Sequence, residues 1–111
     1  MTDPRYKKLA KLLVNYSTKI KRGDRALLDL IDVPDEFSIE LIRAVRAVGG
    51  TPLAEVRHTR VSRELLLGMD AKHAALGRDL ELFRMKKVQA YIAIRGKLKS
   101  YQSALPQAQT P

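Results

Sequence analysis

Cysteine and tryptophan are absent from the 111 residues, and the aromatic side chains number only four tyrosines and two phenylalanines. Without cysteine there is no disulfide framework, no thiolate metal site and no cysteine nucleophile. Few aromatics leave little to stack on bases, and neither an RNP-type aromatic motif nor a GXXG loop is present. No apolar stretch approaches the roughly 20 residues of a membrane span. The opening MTDPRYKKLAKLL carries Asp3 and no continuous apolar segment, so it does not read as a secretory signal. The expectation is a cytoplasmic protein that does not engage a membrane.

What is present is an ordinary hydrophobic share of 45% and an excess of basic residues, 21 Lys+Arg against 12 Asp+Glu. This composition excludes a disordered chain, and the length suits one domain. The +9 charge is unevenly spread: residues 1–25 carry net +6, residues 26–50 net −3, and residues 76–111 net +5. A basic end of this kind can meet phosphate. Equally, a lysine-rich helix face is simply solvated, with the side-chain stems lying on apolar surface.

Hydrophobic periodicity orders the chain. Tyr6, Leu9, Leu13, Tyr16 and Ile20 recur at helical spacing, which predicts an amphipathic helix over residues 4–22. Asp3 is placed as its N-cap, Pro4 as its first residue, and Gly23 as its stop. Arg25–Ile31 is a short, nearly continuous apolar run and predicts a strand buried on both faces. A helix over residues 36–48 follows, started by Asp35 and Glu36 and stopped by Gly49-Gly50. Pro52–Arg57 predicts a second strand, so the three segments form a βαβ unit with a right-handed crossover. Helices over 61–67 and from Asp70 to about Lys87 come next, the longer one with Leu76, Leu80 and Phe83 on its inner stripe. Residues 90–94 supply a third strand. The fold class is therefore three-layer α/β: a short parallel sheet of about three strands flanked by helices, with an amphipathic helix in front. Residues 1–96 form this domain. Residues 97–111, KLKSYQSALPQAQTP, read as a polar, flexible tail. Three strands are few for such a sheet, which suggests the front of a larger α/β domain.

Ligands of open α/β sheets bind beyond the carboxyl ends of the strands. Here those ends carry Asp32, then Arg57 and His58, then Arg95, and these four are the candidate contacts for a ligand or partner. A nucleotide site would need a glycine-rich turn after the first strand. The turn instead offers Asp32, Asp35 and Glu36, whose carboxylates would repel phosphate. These acids also read as ordinary turn, cap and helix-dipole residues. His58 and His73 are not at metal-ligand spacing, and no His-Glu-x-x-His pattern exists. Asp29 interrupts an apolar strand, where it would pair with Arg57 or Arg95 or face a further layer. No serine lies in a G-x-S-x-G elbow, and no catalytic or metal residue is assigned.

Four segments carry a resemblance: DPRYKKLAKLLVNYSTKIKRGDRALL from Asp3, EFSIELIRAVRAVGGTPLAEVRH from Glu36, ELLLG from Glu64 and DLELFRMKKVQAYIAIRG from Asp79. Together they resemble the amino-terminal part of the aminopeptidase T/S family of metallopeptidases, also described as leucyl aminopeptidases or thermophilic metalloproteases. The resemblance spans residues 3–96 in order and rests on overall pattern. It implies an α/β domain joined to a carboxy-terminal catalytic domain, which holds two divalent metals such as zinc or cobalt. It also implies a cytoplasmic homodimer that removes N-terminal residues such as leucine from peptides. The family's metal ligands belong to the second domain and have no counterpart here. The expectation is thus a domain fragment inactive by itself, with peptide as substrate only of an intact enzyme. The polar tail departs from the family pattern after Gly96. An alternative is a small basic module that contacts RNA or an acidic protein through Lys7, Lys8, Lys11 and Lys19.

Overall fold

The structure, a computed structural model, describes residues 3–96 and 107–109. The order of elements is α1 (Pro4–Leu12), a π-helical turn (Leu13–Ser17), β1 (Arg25–Ile31), α2 (Asp35–Ala47), β2 (Thr51–Arg57), α3 (Thr59–Leu67), α4 (Ala71–Lys87), β3 (Ala90–Arg95) and β4 (Gln107–Gln109). The sheet runs β2-β1-β3-β4. β1 pairs in parallel with both β2 and β3, and β4 pairs antiparallel with β3. The three-strand parallel sheet flanked by helices is a small α/β fold. Among the described residues no helix is long and apolar enough to cross a membrane.

The central place of β1 follows from its composition. Ala26, Leu28 and Leu30 are fully buried on one face, and Leu27 and Asp29 are buried on the other. On the first face they join Ile92 and Ile94 of β3 beneath Phe37, Leu41 and Val45 of α2 and Ala10 and Val14 of the first helical segment. Tyr6 meets Phe37 edge-on, with ring centroids 5.4 Å apart, an arrangement the ring quadrupoles favour. α2 begins with Asp35 and Glu36 in its first turn, and Gly49 leaves it at φ 84°, a left-handed conformation that glycine adopts without strain.

The first helix departs from the expected span. It passes at Leu13 into a π-helical turn, and the Thr18 hydroxyl donates to the Leu13 carbonyl at 2.8 Å. The wider turn shifts the side-chain register, so Leu13 and Val14 enter the core while Tyr16 is 72% exposed. Tyr16 therefore does not belong to the inner stripe where periodicity puts it.

A larger correction concerns the second layer. The expected inner stripe of α4 is open: Leu76, Leu80 and Phe83 are 60%, 52% and 61% exposed. Neither α3 nor α4 buries a single residue. Only the last turns of α4 approach the sheet, where Phe83, Arg84 and Lys87 border an apolar slot with Leu27 and Leu53. Arg84 donates to Glu55 across it.

Most of the expected tail over residues 97–111 lies outside the described residues. The exception is β4, a three-residue strand that the sequence did not predict.

Candidate functional site

The carboxyl ends of β1 and β2 frame an open cleft of about 700 Å³, lined by Asp32, His58, Thr59, Arg60, Val61 and Glu64. Asp32 is the structural centre of this cleft. It has a left-handed backbone, φ 55°, which short polar side chains tolerate better than most. Its backbone N–H donates to the Arg57 carbonyl at 3.0 Å, so the end of β1 is tied to the end of β2. Its carboxylate then reaches the start of α3: Oδ1 accepts from the Thr59 backbone N–H at 3.1 Å, and Oδ2 accepts from the Thr59 hydroxyl. A residue 27 positions upstream thus satisfies one of the orphan donors at this helix start, where no side chain from the preceding residue does so. The Thr59 hydroxyl bond chiefly, with the backbone N–H, His58 and Arg95 adding to it, holds the Asp32 carboxyl below the usual range despite an opposing desolvation. His58 Nδ1 lies 3.9 Å from Asp32 Oδ1, beyond a direct hydrogen bond.

Arg57 turns away from this cleft. Its Nε donates to Asp29 Oδ1 at 3.0 Å and its Nη2 to Oδ2 at 2.5 Å, a bidentate fork across the neighbouring strands. The Tyr91 hydroxyl donates to the same Asp29 Oδ2 at 3.0 Å. Asp29 is 7% exposed, so this pairing resolves the oddity of an acid within an apolar strand. Burial chiefly, then the bond to Asp29, pushes the Tyr91 phenol up to about 12. Asp29 in turn holds the Arg57 guanidinium above its ordinary value. Arg95 borders a second hollow of about 360 Å³ beside these three residues.

The four strand-end candidates therefore divide. Asp32 and His58 share the cleft, whereas Arg57 and Arg95 border the hollow around Asp29 and Tyr91. Sequence reasoning missed Thr59 and Tyr91 as partners of these acids. The signal for Tyr91 exists only in the register, which sets Leu27 opposite Tyr91 and so brings its hydroxyl near Asp29.

Chemically the cleft is suited to contact. The Thr59 hydroxyl is committed to a carboxylate whose lowered pKa makes it a poor base. Glu64 lines the cleft with Asp32 and His58, but no three His, Asp or Glu side chains converge to hold a metal ion among the described residues, and the oxygens of Asp29 are taken by Arg57 and Tyr91. Lys7, Lys8, Lys11 and Lys19 are all exposed. No family model, no curated protein and no solved structure matches the chain.

Proposed function

We propose that this chain is the non-catalytic α/β unit of a cytoplasmic, metal-dependent aminopeptidase of the T/S type. In this reading peptide hydrolysis, and the zinc or cobalt that serves it, belong to a second domain. The α/β unit flanks that domain's active site, with the cleft of Asp32, His58 and Arg60 turned toward the peptide. The observation that supports the reading is where the four resembling segments fall. The first covers α1 and most of β1, the second α2 and β2, the third the end of α3, and the last the end of α4 with β3. They are successive parts of one parallel sheet and its helices, which is what an α/β amino-terminal domain of that family demands.

A chimera tests this. Residues 1–96 are fused to the metal-binding half of a T/S aminopeptidase in place of its own α/β unit. Metal-dependent release of p-nitroaniline from leucine p-nitroanilide is expected from the chimera and not from the 111-residue chain. Release by the isolated chain, or a folded chimera without activity, overturns the reading.

A further inference from the structure

The hollow of about 360 Å³ beside Asp29 is built by strand residues alone, among them Asp29 and Ile31 of β1, Arg57 of β2, and Tyr91, Ala93 and Arg95 of β3. It shares no lining residue with the cleft of Asp32 and His58. Register explains how it forms. Ile31 stands opposite Arg57 on one side and Arg95 on the other, so two arginines flank one apolar side chain. Strand alternation puts Asp29 and Ile31 on the same face, away from the core under α1 and α2. α4 borders that face at Leu27, Leu53 and Glu55, toward the strand starts. The carboxyl ends are left open, which is where sheets of this class bind ligands.

Its charges do not cancel. Asp29 contributes one negative charge, Arg57 and Arg95 two positive ones, and Tyr91, titrating at about 12, none. Neighbouring acids have other partners: Glu55 accepts from Arg84, and Asp32, whose charge Arg95 meets from the adjoining cleft, accepts from Thr59. Glu81, which acts on Tyr91 through space, is exposed on α4. The donors are placed as well. Asp29 grips Arg57 through Nε and Nη2, which fixes the guanidinium plane and leaves its Nη1 edge unused among the described residues. The Arg57 side chain is 43% exposed, so that edge can be reached. Arg95 is exposed and makes no ion pair among the described residues.

We infer that this hollow binds a small organic monocarboxylate, held between Arg57 and Arg95 with its apolar body against Ile31, Ala93 and Tyr91. Guanidinium and carboxylate match as planar forks. One surplus positive charge suits a monoanion, whereas a phosphate dianion would set a second negative charge beside Asp29. A peptide end fits less well, because its backbone N–H and C=O groups would lie against Ile31 and Ala93 without partners. The assignment does not rest on the aminopeptidase reading, and the chimera does not bear on it.

Titration of the 111-residue chain with benzoate at low ionic strength, followed by NMR, tests it. Saturable binding is expected with a dissociation constant of about 1 mM. It should move the Nε–H signals of Arg57 and Arg95 and not that of Arg5. Benzamide, which has the shape without the charge, inorganic phosphate and N-acetylalanylalanine should each bind at least ~10-fold more weakly. Arg95→Gln, at an exposed position, should weaken benzoate about 10-fold. Lys11→Gln, which removes the same charge from α1, should leave it unchanged. No saturation below ~20 mM benzoate overturns the inference. So do equal binding of benzamide or phosphate, an Arg95→Gln chain that binds as well, or shifts confined to other arginines. Tighter binding of the acetylated dipeptide overturns the choice of a free acid.

Discussion

One face of the sheet carries α1 and α2 on a closed core, and the other carries α4 by its last turns alone. Phe37, Leu41 and Val45 of α2 are fully buried, whereas Leu80 and Phe83 of α4 are more than half exposed. α2 gathers Phe37, Leu41 and Val45 on one side, whereas α4 spreads Leu82 and Met85 to the side away from Leu76, Leu80 and Phe83. The difference also lies in what each meets. α2 meets the Ala26-Leu28-Leu30 face of β1, which is wholly apolar. The opposite face mixes Leu27 with Asp29, Glu55 and Arg57: Arg57 satisfies Asp29 within the sheet, and Glu55 accepts from Arg84 at the end of α4. An apolar stripe is a demand for cover, and it does not say who supplies it.

The sharpest way to break this comparison is a pair of truncations. Phe37→Ala should cost about 3–5 kcal/mol, since a large cavity opens in the closed core. Leu82→Ala, at 59% exposure on α4, should cost under about 0.5 kcal/mol. Urea unfolding of both variants checks the contrast. Next in size is Gly96→Ala. An added Cβ would lie 2.4 Å from the Asp32 carbonyl oxygen, and that atom is backbone. The end of β3 would have to part from the turn after β1, at a cost of about 1–3 kcal/mol, the range for overpacking. Thermal unfolding reads this loss.

A smaller effect belongs to the polar face. Asp29→Asn keeps the shape but removes the charge facing Arg57. Because the Arg57 side chain is 43% exposed, water compensates part of the loss, and about 1 kcal/mol is expected from denaturant unfolding. The smallest effect is in pH. A phenol raised to about 12 in the folded chain, above the ~10 of an unfolded tyrosine, binds its proton more tightly when folded. Its stabilisation is complete below pH ~10 and is lost as pH rises through about 12. Ultraviolet titration should show a phenol ionising at about 12, and Tyr91→Phe should abolish that step.

The contrast also marks what was legible in the sequence. The strand-helix-strand order was readable from local signals: the apolar run of β1, the acids opening α2, the Gly49-Gly50 stop, and Asp70 as the cap of α4, where its Oδ1 accepts from the His73 N–H at 2.7 Å. Pairing of Asp29 with an arginine was also readable, since a buried acid needs a cation. What failed was non-local. Periodicity reports an apolar stripe on α4 but not whether the sheet face opposite is free to take it. Nor does it reveal that Asp32 caps α3 across 27 residues, or that a π-helical turn carries Tyr16 out of the core. In the cleft, Asp32 and His58 lie close in space because β1 and β2 end together, while Arg57 points to the far face by strand alternation alone.

The order β2-β1-β3 has a consequence for how the molecule is made. Residues up to Arg57 already contain α1, β1, α2 and β2, so this part can assemble early while the polypeptide is still emerging. The second edge of β1 must then wait until Ala90–Arg95 has been synthesised. At translation rates of about 5–20 residues per second, that interval is roughly 2–8 s. For those seconds the nascent sheet offers an unpaired Leu-rich edge, the kind of surface that chaperones hold.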